Sequence, residues 1–143
     1  MKFLGTLDKN ISFKKLFLYW VGYLCIGIFI MLVVTPLSPS FSETSDKINE
    51  NFCQPINLIL VSLAFLTETL LFMILPWKLG GKKWLIVGLS IWALLHLLGG
   101  SLPIFLYISV MAVFYYRLLE IGKWKETMGF HFLINLPAIL TCL

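Results

Sequence analysis

Long apolar stretches separated by short polar connections dominate this chain. Each stretch runs for roughly 17 to 25 residues, the length an α-helix needs to cross about 30 Å of hydrocarbon. The pattern predicts an all-α fold, a multi-pass transmembrane helical bundle with about five spans. We place them at 16–37, 54–76, 83–99, 102–119 and 127–143. Pro137 interrupts the last span, which could therefore be broken or partly re-entrant.

Composition supports the same class. Of 143 residues, 59% are hydrophobic and 13% charged, and the mean hydropathy is +0.93. A soluble domain of this length is far less apolar, so we expect a single transmembrane domain over 1–143 with the lipid bilayer as its surroundings. The apolar run after Lys15 is longer than the hydrophobic region of a signal peptide and lacks a small-residue cleavage site, which predicts a retained first span.

The charges of the connections alternate. Basic residues precede the first span and fill the connections after the second and fourth, whereas 38–51 is an acidic, serine-rich loop and Gly99-Gly100-Ser101 is an uncharged turn. By the positive-inside rule we predict a cell-membrane protein with a cytoplasmic amino terminus, an extracytoplasmic loop at 38–51 and an extracytoplasmic carboxy terminus. The basic residues form short clusters beside the spans and line no long face, so we expect no nucleic acid partner.

Aromatic residues near the span ends could anchor the helices at the two interfaces. These are Trp20, Trp77, Trp84, Tyr107, Tyr115 and Tyr116. Trp92 sits too deep in its span for that role.

Three polar residues lie inside the predicted spans: Glu68, His96 and His131. A charge at the centre of a spanning helix costs on the order of 3 kcal/mol on insertion scales, so such residues are usually kept because they act. A single histidine or asparagine in a span can also join helices through a hydrogen bond.

Two of these residues belong to pairs four positions apart, which share one face of a helix. His131-Phe-Leu-Ile-Asn135 brings two hydrogen-bonding groups to one face of the last span, and Trp92-Ala-Leu-Leu-His96 stacks an indole one turn from an imidazole. The second span carries Glu68-Thr-Leu-Leu-Phe-Met73, with one carboxylate on an otherwise apolar helix.

In their order along the chain, these three segments resemble the CAAX protease and bacteriocin-processing family, also called the Abi family. That family of intramembrane glutamic endopeptidases includes the CAAX prenyl endopeptidase, and its marks are EExxxR, FxxxH and HxxxN on successive spans. The resemblance covers roughly 60–137, a family-like catalytic core, and leaves the first span outside.

The first motif departs from the family pattern. In one register Glu68 takes the first glutamate, Thr69 replaces the second and Met73 replaces the arginine. Losing that opposite-charge pair together is physically coherent, since removing one partner alone strands a buried charge at about 3–5 kcal/mol. In the other register Glu68 takes the second glutamate and Thr67 stands at the first, which removes the presumed base.

The resemblance implies metal-independent peptide hydrolysis without a cofactor. Glu68 would act as general base and His96 would help it to hold a water, while His131 and Asn135 would donate hydrogen bonds to the oxyanion. The substrate would be a peptide or membrane protein.

Three alternatives remain open at this stage. One is a catalytically inactive family member acting in bacteriocin immunity or as a membrane scaffold. Another is a zinc site formed by Glu68, His96 and His131, and a third is a transport protein that uses the same polar groups as a path.

Overall fold

The structure of the protein, a computed structural model, describes residues 10–37, 55–99 and 102–140. Helix α1 spans Phe13–Val34 and ends in a 3₁₀ turn, Thr35–Leu37; α2 spans Pro55–Glu68 and continues into a π-helical segment, Thr69–Ile74. Helix α3 spans Leu75–Gly99, α4 spans Leu102–Glu120 and α5 spans Trp124–Leu140. The described residues form no strand, so the predicted all-α class is confirmed. The predicted polar loop at 38–51 lies outside the described residues.

Glycine creates the sharpest bend in the chain. Gly81, inside α3, has φ 64° and ψ −146°, a conformation essentially restricted to glycine because a side chain would clash with the backbone. The chain reverses there: Glu68 meets Trp92, and the backbone of Phe72 meets Gly88. From the first contact to the second, the residue number rises by four on one arm and falls by four on the other. The two arms therefore form an antiparallel hairpin. We call 82–99 the returning arm of α3.

A second glycine ends α4. Gly122 has φ 79°, its N–H donates to the carbonyl oxygen of Leu119, and the N–H of Lys123 donates to that of Leu118. These bonds satisfy carbonyl groups that a helix end otherwise leaves unpaired, as in glycine-capped helix termini. The chain then enters α5.

The number of spans is smaller than predicted. Within the described residues, three helical stretches are long and apolar enough to cross a membrane: Phe13–Val34, Leu63–Leu98 and Leu102–Glu120. Leu63–Leu98 contains the hairpin, so the described residues hold three to four spans, where about five were predicted. Helix α5 has 17 residues, about 25 Å at 1.5 Å per residue, which is shorter than the hydrocarbon core. It also continues to Leu140 without a break at Pro137, where the sequence left a broken or partly re-entrant helix open.

The core lies where α1, the hairpin and α5 pack around α4. Its buried residues include Leu16 of α1, Met73 of the π-helical segment, Leu85 of α3 and Phe114 of α4. Many outward-facing residues are large and apolar, among them Leu98 and Leu79 with 83% and 77% of their surfaces exposed. Such a surface is suited to lipid and not to water, and the protein is accordingly a membrane protein.

Two residues expected to be interfacial anchors belong to this core. Tyr115 is fully buried and Trp20 is 9% exposed. Their position near predicted span ends suggested anchors, but both rings face neighbouring helices: Trp20 stacks on Phe130, and Tyr115 lies 5.9 Å from Trp92, between ring centroids.

Candidate functional site

Glu68 and His131 meet between the end of α2 and the middle of α5. The carboxylate Oε2 of Glu68 lies 3.9 Å from Nε2 of His131. His131 is 3% exposed, whereas the Glu68 side chain keeps 28% of its surface. The site therefore pairs a buried imidazole with a carboxylate that can be approached from outside.

Thr69 determines which imidazole nitrogen faces the carboxylate. Its hydroxyl donates to the carbonyl oxygen of Phe65 at 2.8 Å and lies 2.7 Å from Nδ1 of His131. A hydroxyl has one proton, so Thr69 accepts from Nδ1–H of His131. The lone pair of the neutral ring is then on Nε2, facing Glu68.

Trp92 holds the same carboxylate from the returning arm of α3. Its indole Nε1–H donates to Glu68 Oε2 at 3.0 Å, and 1% of its surface is exposed. The sequence indicated only an aromatic body at this position. The hydrogen bond shows that the indole also supplies a polar contact, which phenylalanine lacks.

His96 lies next to this site but makes no hydrogen bond to Glu68. Its Nδ1 donates to the carbonyl oxygen of Trp92 at 2.9 Å, and its ring meets the Trp92 ring edge-on, with centroids 5.2 Å apart. Trp92 thus connects His96 to the carboxylate.

Asn135 uses its side chain within its own helix. Its Nδ2 donates to the carbonyl oxygen of His131 at 2.9 Å. An amide nitrogen carries two protons, so a second N–H is left over from this bond. The structure places Asn135 one turn beyond His131 without joining it to the imidazole or to Glu68.

The structure orients Glu68 toward the histidine of α5 and Thr67 away from it. Thr67 is exposed, and its hydroxyl donates to the carbonyl oxygen of Ala64. Met73, in the π-helical segment that follows Glu68, is fully buried in the apolar core.

Three aromatic rings enclose the imidazole of His131. The ring centroids of Trp92, Tyr115 and Phe65 lie 5.3, 5.5 and 6.0 Å from that of His131. Sequence reasoning did not assign Tyr115 or Phe65 to the site, because spacing along one helix does not indicate which residues of other helices approach it. The fully buried Tyr115 hydroxyl has no hydrogen-bond partner among the described residues.

A π-helical segment begins immediately after Glu68. It covers Thr69–Ile74, and the preceding helix has ordinary α geometry at Glu68, with φ −58° and ψ −49°. Single π-helical turns inside α-helices occur frequently at functional sites, where the wider turn changes the direction of side chains. Here two consecutive residues, Glu68 and Thr69, face the two nitrogens of the His131 imidazole.

The set proposed for zinc is not assembled. Among the described residues, no three histidine, cysteine, aspartate or glutamate side chains lie close enough together to hold one metal ion. Glu68 and His131 are neighbours, whereas the hydrogen bond and the ring contact of His96 are with Trp92.

No protein-family model matches this chain, and no significant similarity connects it with curated proteins or solved structures.

Proposed function

We propose that the protein is an intramembrane peptide hydrolase in which Glu68 is the general base. The observation that carries the proposal is the 3.9 Å separation of Glu68 Oε2 and His131 Nε2. Both atoms are acceptors when Glu68 acts as a base, because an ionised carboxylate only accepts hydrogen bonds and the imidazole proton is on Nδ1. A water molecule that donates one hydrogen bond to each of these two atoms would have its oxygen lone pairs directed away from both of them.

The reaction follows from this position of the water. Glu68 removes a proton as the water oxygen attacks the carbonyl carbon of a peptide bond. The same proton then passes to the peptide nitrogen, the C–N bond breaks, and a carboxylic acid and an amine are formed. No cofactor takes part in these steps.

The contacts around the carboxylate support this role. Trp92 fixes Oε2 through one hydrogen bond, and Thr69 keeps the His131 lone pair on the side of Glu68. A charge-assisted bond orients a carboxylate well, and orientation within hydrogen-bond reach is what general-base catalysis requires. The second N–H of Asn135 is a possible donor to the oxyanion, as the family resemblance implies.

The proposal changes one role that the resemblance implies. There, His96 helps Glu68 to hold the water and His131 serves the oxyanion. The contacts favour His131 as the partner of Glu68, with His96 acting through Trp92. Thr69 replaces a charged glutamate by a neutral acceptor for Nδ1–H, and Met73 replaces the opposite charge, so the substitution leaves neither partner stranded.

The experiment is a cleavage assay with purified protein in liposomes and a library of transmembrane peptides. We expect Glu68→Gln and His131→Asn to lower the cleavage rate by about 10²–10⁴-fold, the range that general acid–base catalysis supplies. Glu126→Gln is the matched control, since Glu126 lies on α5 and pairs with Lys123 at the surface. Cleavage that survives Glu68→Gln, or that a chelator abolishes, contradicts the proposal.

Binding of a peptide without cleavage would distinguish a catalytically inactive family member from an enzyme. If the wild-type protein binds a labelled peptide as tightly as Glu68→Gln and neither cleaves it, the site acts by binding. Bacteriocin immunity or a scaffold function then replaces hydrolysis as the explanation.

A further inference from the structure

A groove of about 480 Å³ lies between the returning arm of α3 and α4, on residues that the proposed hydrolysis does not use. Small and apolar side chains line most of it, and one charged residue lies among them. The lining includes Ala93, Phe105, Ser109, Ala112 and Arg117. Such a volume falls in the range of ligand sites in proteins.

Apart from Arg117, the polar side chains that line this groove are those of Ser90, Ser109 and Tyr116, and the rest of the lining is apolar. The hydroxyl of Ser109 donates to the carbonyl oxygen of Phe105 at 2.7 Å, one turn back on the same helix. That proton is therefore used within α4. Ala93 and Ala112 contribute no polar side-chain atom, so an aliphatic chain fits the interior better than a peptide backbone, whose polar groups would lose their hydrogen bonds.

The length of the groove corresponds to one leaflet of a bilayer. Its residues on α4 extend from Phe105 to Arg117, which is about 18 Å at 1.5 Å per residue. Half of a hydrocarbon core measures about 15 Å. Arg117 lies at the end of α4, where Lys82 from the hairpin bend pairs with Glu120 at 2.5 Å.

This end of the molecule is strongly basic. The hairpin bend at 77–83 and the stretch 117–126 together contain six lysines and arginines but two glutamates. Glu120 is shared, since Arg117 Nη1 also lies 3.4 Å from its Oε2, and the basic residues at this end of the molecule outnumber the acidic ones. An anionic headgroup is the complement of that charge, and each such basic residue near a membrane surface contributes about 1 kcal/mol.

We propose that this groove binds one acyl chain of an anionic phospholipid, with the phosphate beside Arg117 and Lys82. The aliphatic chain fills the interior along Ala112 and Ala93, and the headgroup remains at the basic end. The site would stabilise the contact between α3 and α4 from the lipid side. It does not depend on the proposed hydrolysis.

The test is native mass spectrometry of the full chain, purified in detergent and mixed with equal amounts of phosphatidylglycerol and phosphatidylcholine of identical chains. We expect the wild-type protein to retain phosphatidylglycerol preferentially. Ala112→Phe fills the groove and should remove both lipids, whereas Arg117→Gln should reduce the preference about fivefold, the equivalent of one basic contact.

Two matched controls separate the groove from general effects. Val87→Phe enlarges an exposed residue of α3 outside the groove and should bind lipid like the wild type. Lys83→Gln removes an exposed charge that does not line the groove and should lower the preference less than Arg117→Gln does. Unchanged helicity by circular dichroism shows that each variant folds, and Ala93→Leu replaces Ala112→Phe if that variant does not. Equal lipid retention by Ala112→Phe, equal loss in Val87→Phe, or a wild-type dimer that Ala112→Phe dissociates would overturn the proposal, the last by assigning the groove to a second copy.

Discussion

At the scale of single residues, the hydroxyl of Thr69 connects two helices through one imidazole. It donates to the backbone of its own helix and accepts from His131 of α5, and both side chains are buried. If the hydroxyl is absent, Nδ1–H of His131 has no partner in a low-dielectric setting. Leaving one buried donor unpaired costs about 1–3 kcal/mol.

Thr69→Val tests this contact with almost no change in side-chain volume. We expect the free energy of unfolding to fall by about 1–3 kcal/mol, measured by denaturant titration in mixed micelles. Thr127→Val is the matched control: Thr127 is equally buried, and its hydroxyl bonds only the carbonyl oxygen of Lys123, which its own backbone N–H also contacts. If both variants lose the same stability, the bond to His131 contributes nothing measurable.

The sequence indicated some of these residues and not others. The cost of a carboxylate or imidazole in a span singled out Glu68 and His131, and the structure places them together. The sequence did not indicate that Thr69 would bind the imidazole, nor that Trp92, and not His96, would donate a hydrogen bond to Glu68. Spacing of four residues reports a shared face on one helix, whereas contacts between helices depend on rotation and depth, which the π-helical segment after Glu68 alters.

At the scale of elements, Gly88 sets how closely the arms of the hairpin approach. A Cβ at Gly88 would lie 2.2 Å from the carbonyl oxygen of Phe72 and 2.8 Å from Cγ of Pro76. The first of these is backbone and cannot turn aside. Close contact through a small residue is typical of helix pairs in membranes. The bond between Trp92 and Glu68 lies one turn further along both arms, so the same approach supports the site.

Gly88→Ala should separate the arms and weaken that bond. We expect a loss of about 1–3 kcal/mol in unfolding free energy, typical of overpacking, together with a change in the fluorescence of Trp92. Gly129→Ala in α5 is the control, since nothing lies within 4 Å of its Cβ position and alanine favours a helix by about 1 kcal/mol over glycine. A stabilised or unchanged Gly88→Ala would contradict the close approach.

Element positions followed well from hydropathy, and the count of spans did not. The apolar runs predicted the first span at 16–37 and the fourth at 102–119, close to Phe13–Val34 and Leu102–Glu120. The second and third runs became one hairpin because Gly81 reverses the chain without a loop. The described part of the last run, Trp124–Leu140, is shorter than a span. Apolar length alone does not reveal that this helix packs beside Glu68 and carries charged residues at its start.

At the scale of the whole molecule, the direction of α5 bears on the predicted topology. The helix starts at the basic end, beside Lys123 and Lys125, and reaches Glu68 with His131 one-third to one-half of the way along. It points away from the basic connections that the positive-inside rule assigns to the cytoplasm. Its 17 residues cover about 25 Å, and the positive-inside rule predicts that the carboxy terminus lies outside.

We therefore predict that Cys142 reacts with a membrane-impermeant maleimide added to intact cells. The natural cysteines make the test direct, because Cys53→Ser removes the other cysteine expected outside. Cys25 lies in the middle of α1 on its lipid-facing surface, where hydrocarbon shields it from a water-soluble reagent. Cys142→Ser in the same background gives the blank. Lys123→Cys, in a background without other cysteines, should react only after the cells are permeabilised. If Cys142 behaves like Lys123→Cys, α5 returns to the cytoplasmic side and the chain crosses the membrane four times. Helix α5, which carries His131 to Glu68, then enters the bilayer without spanning it.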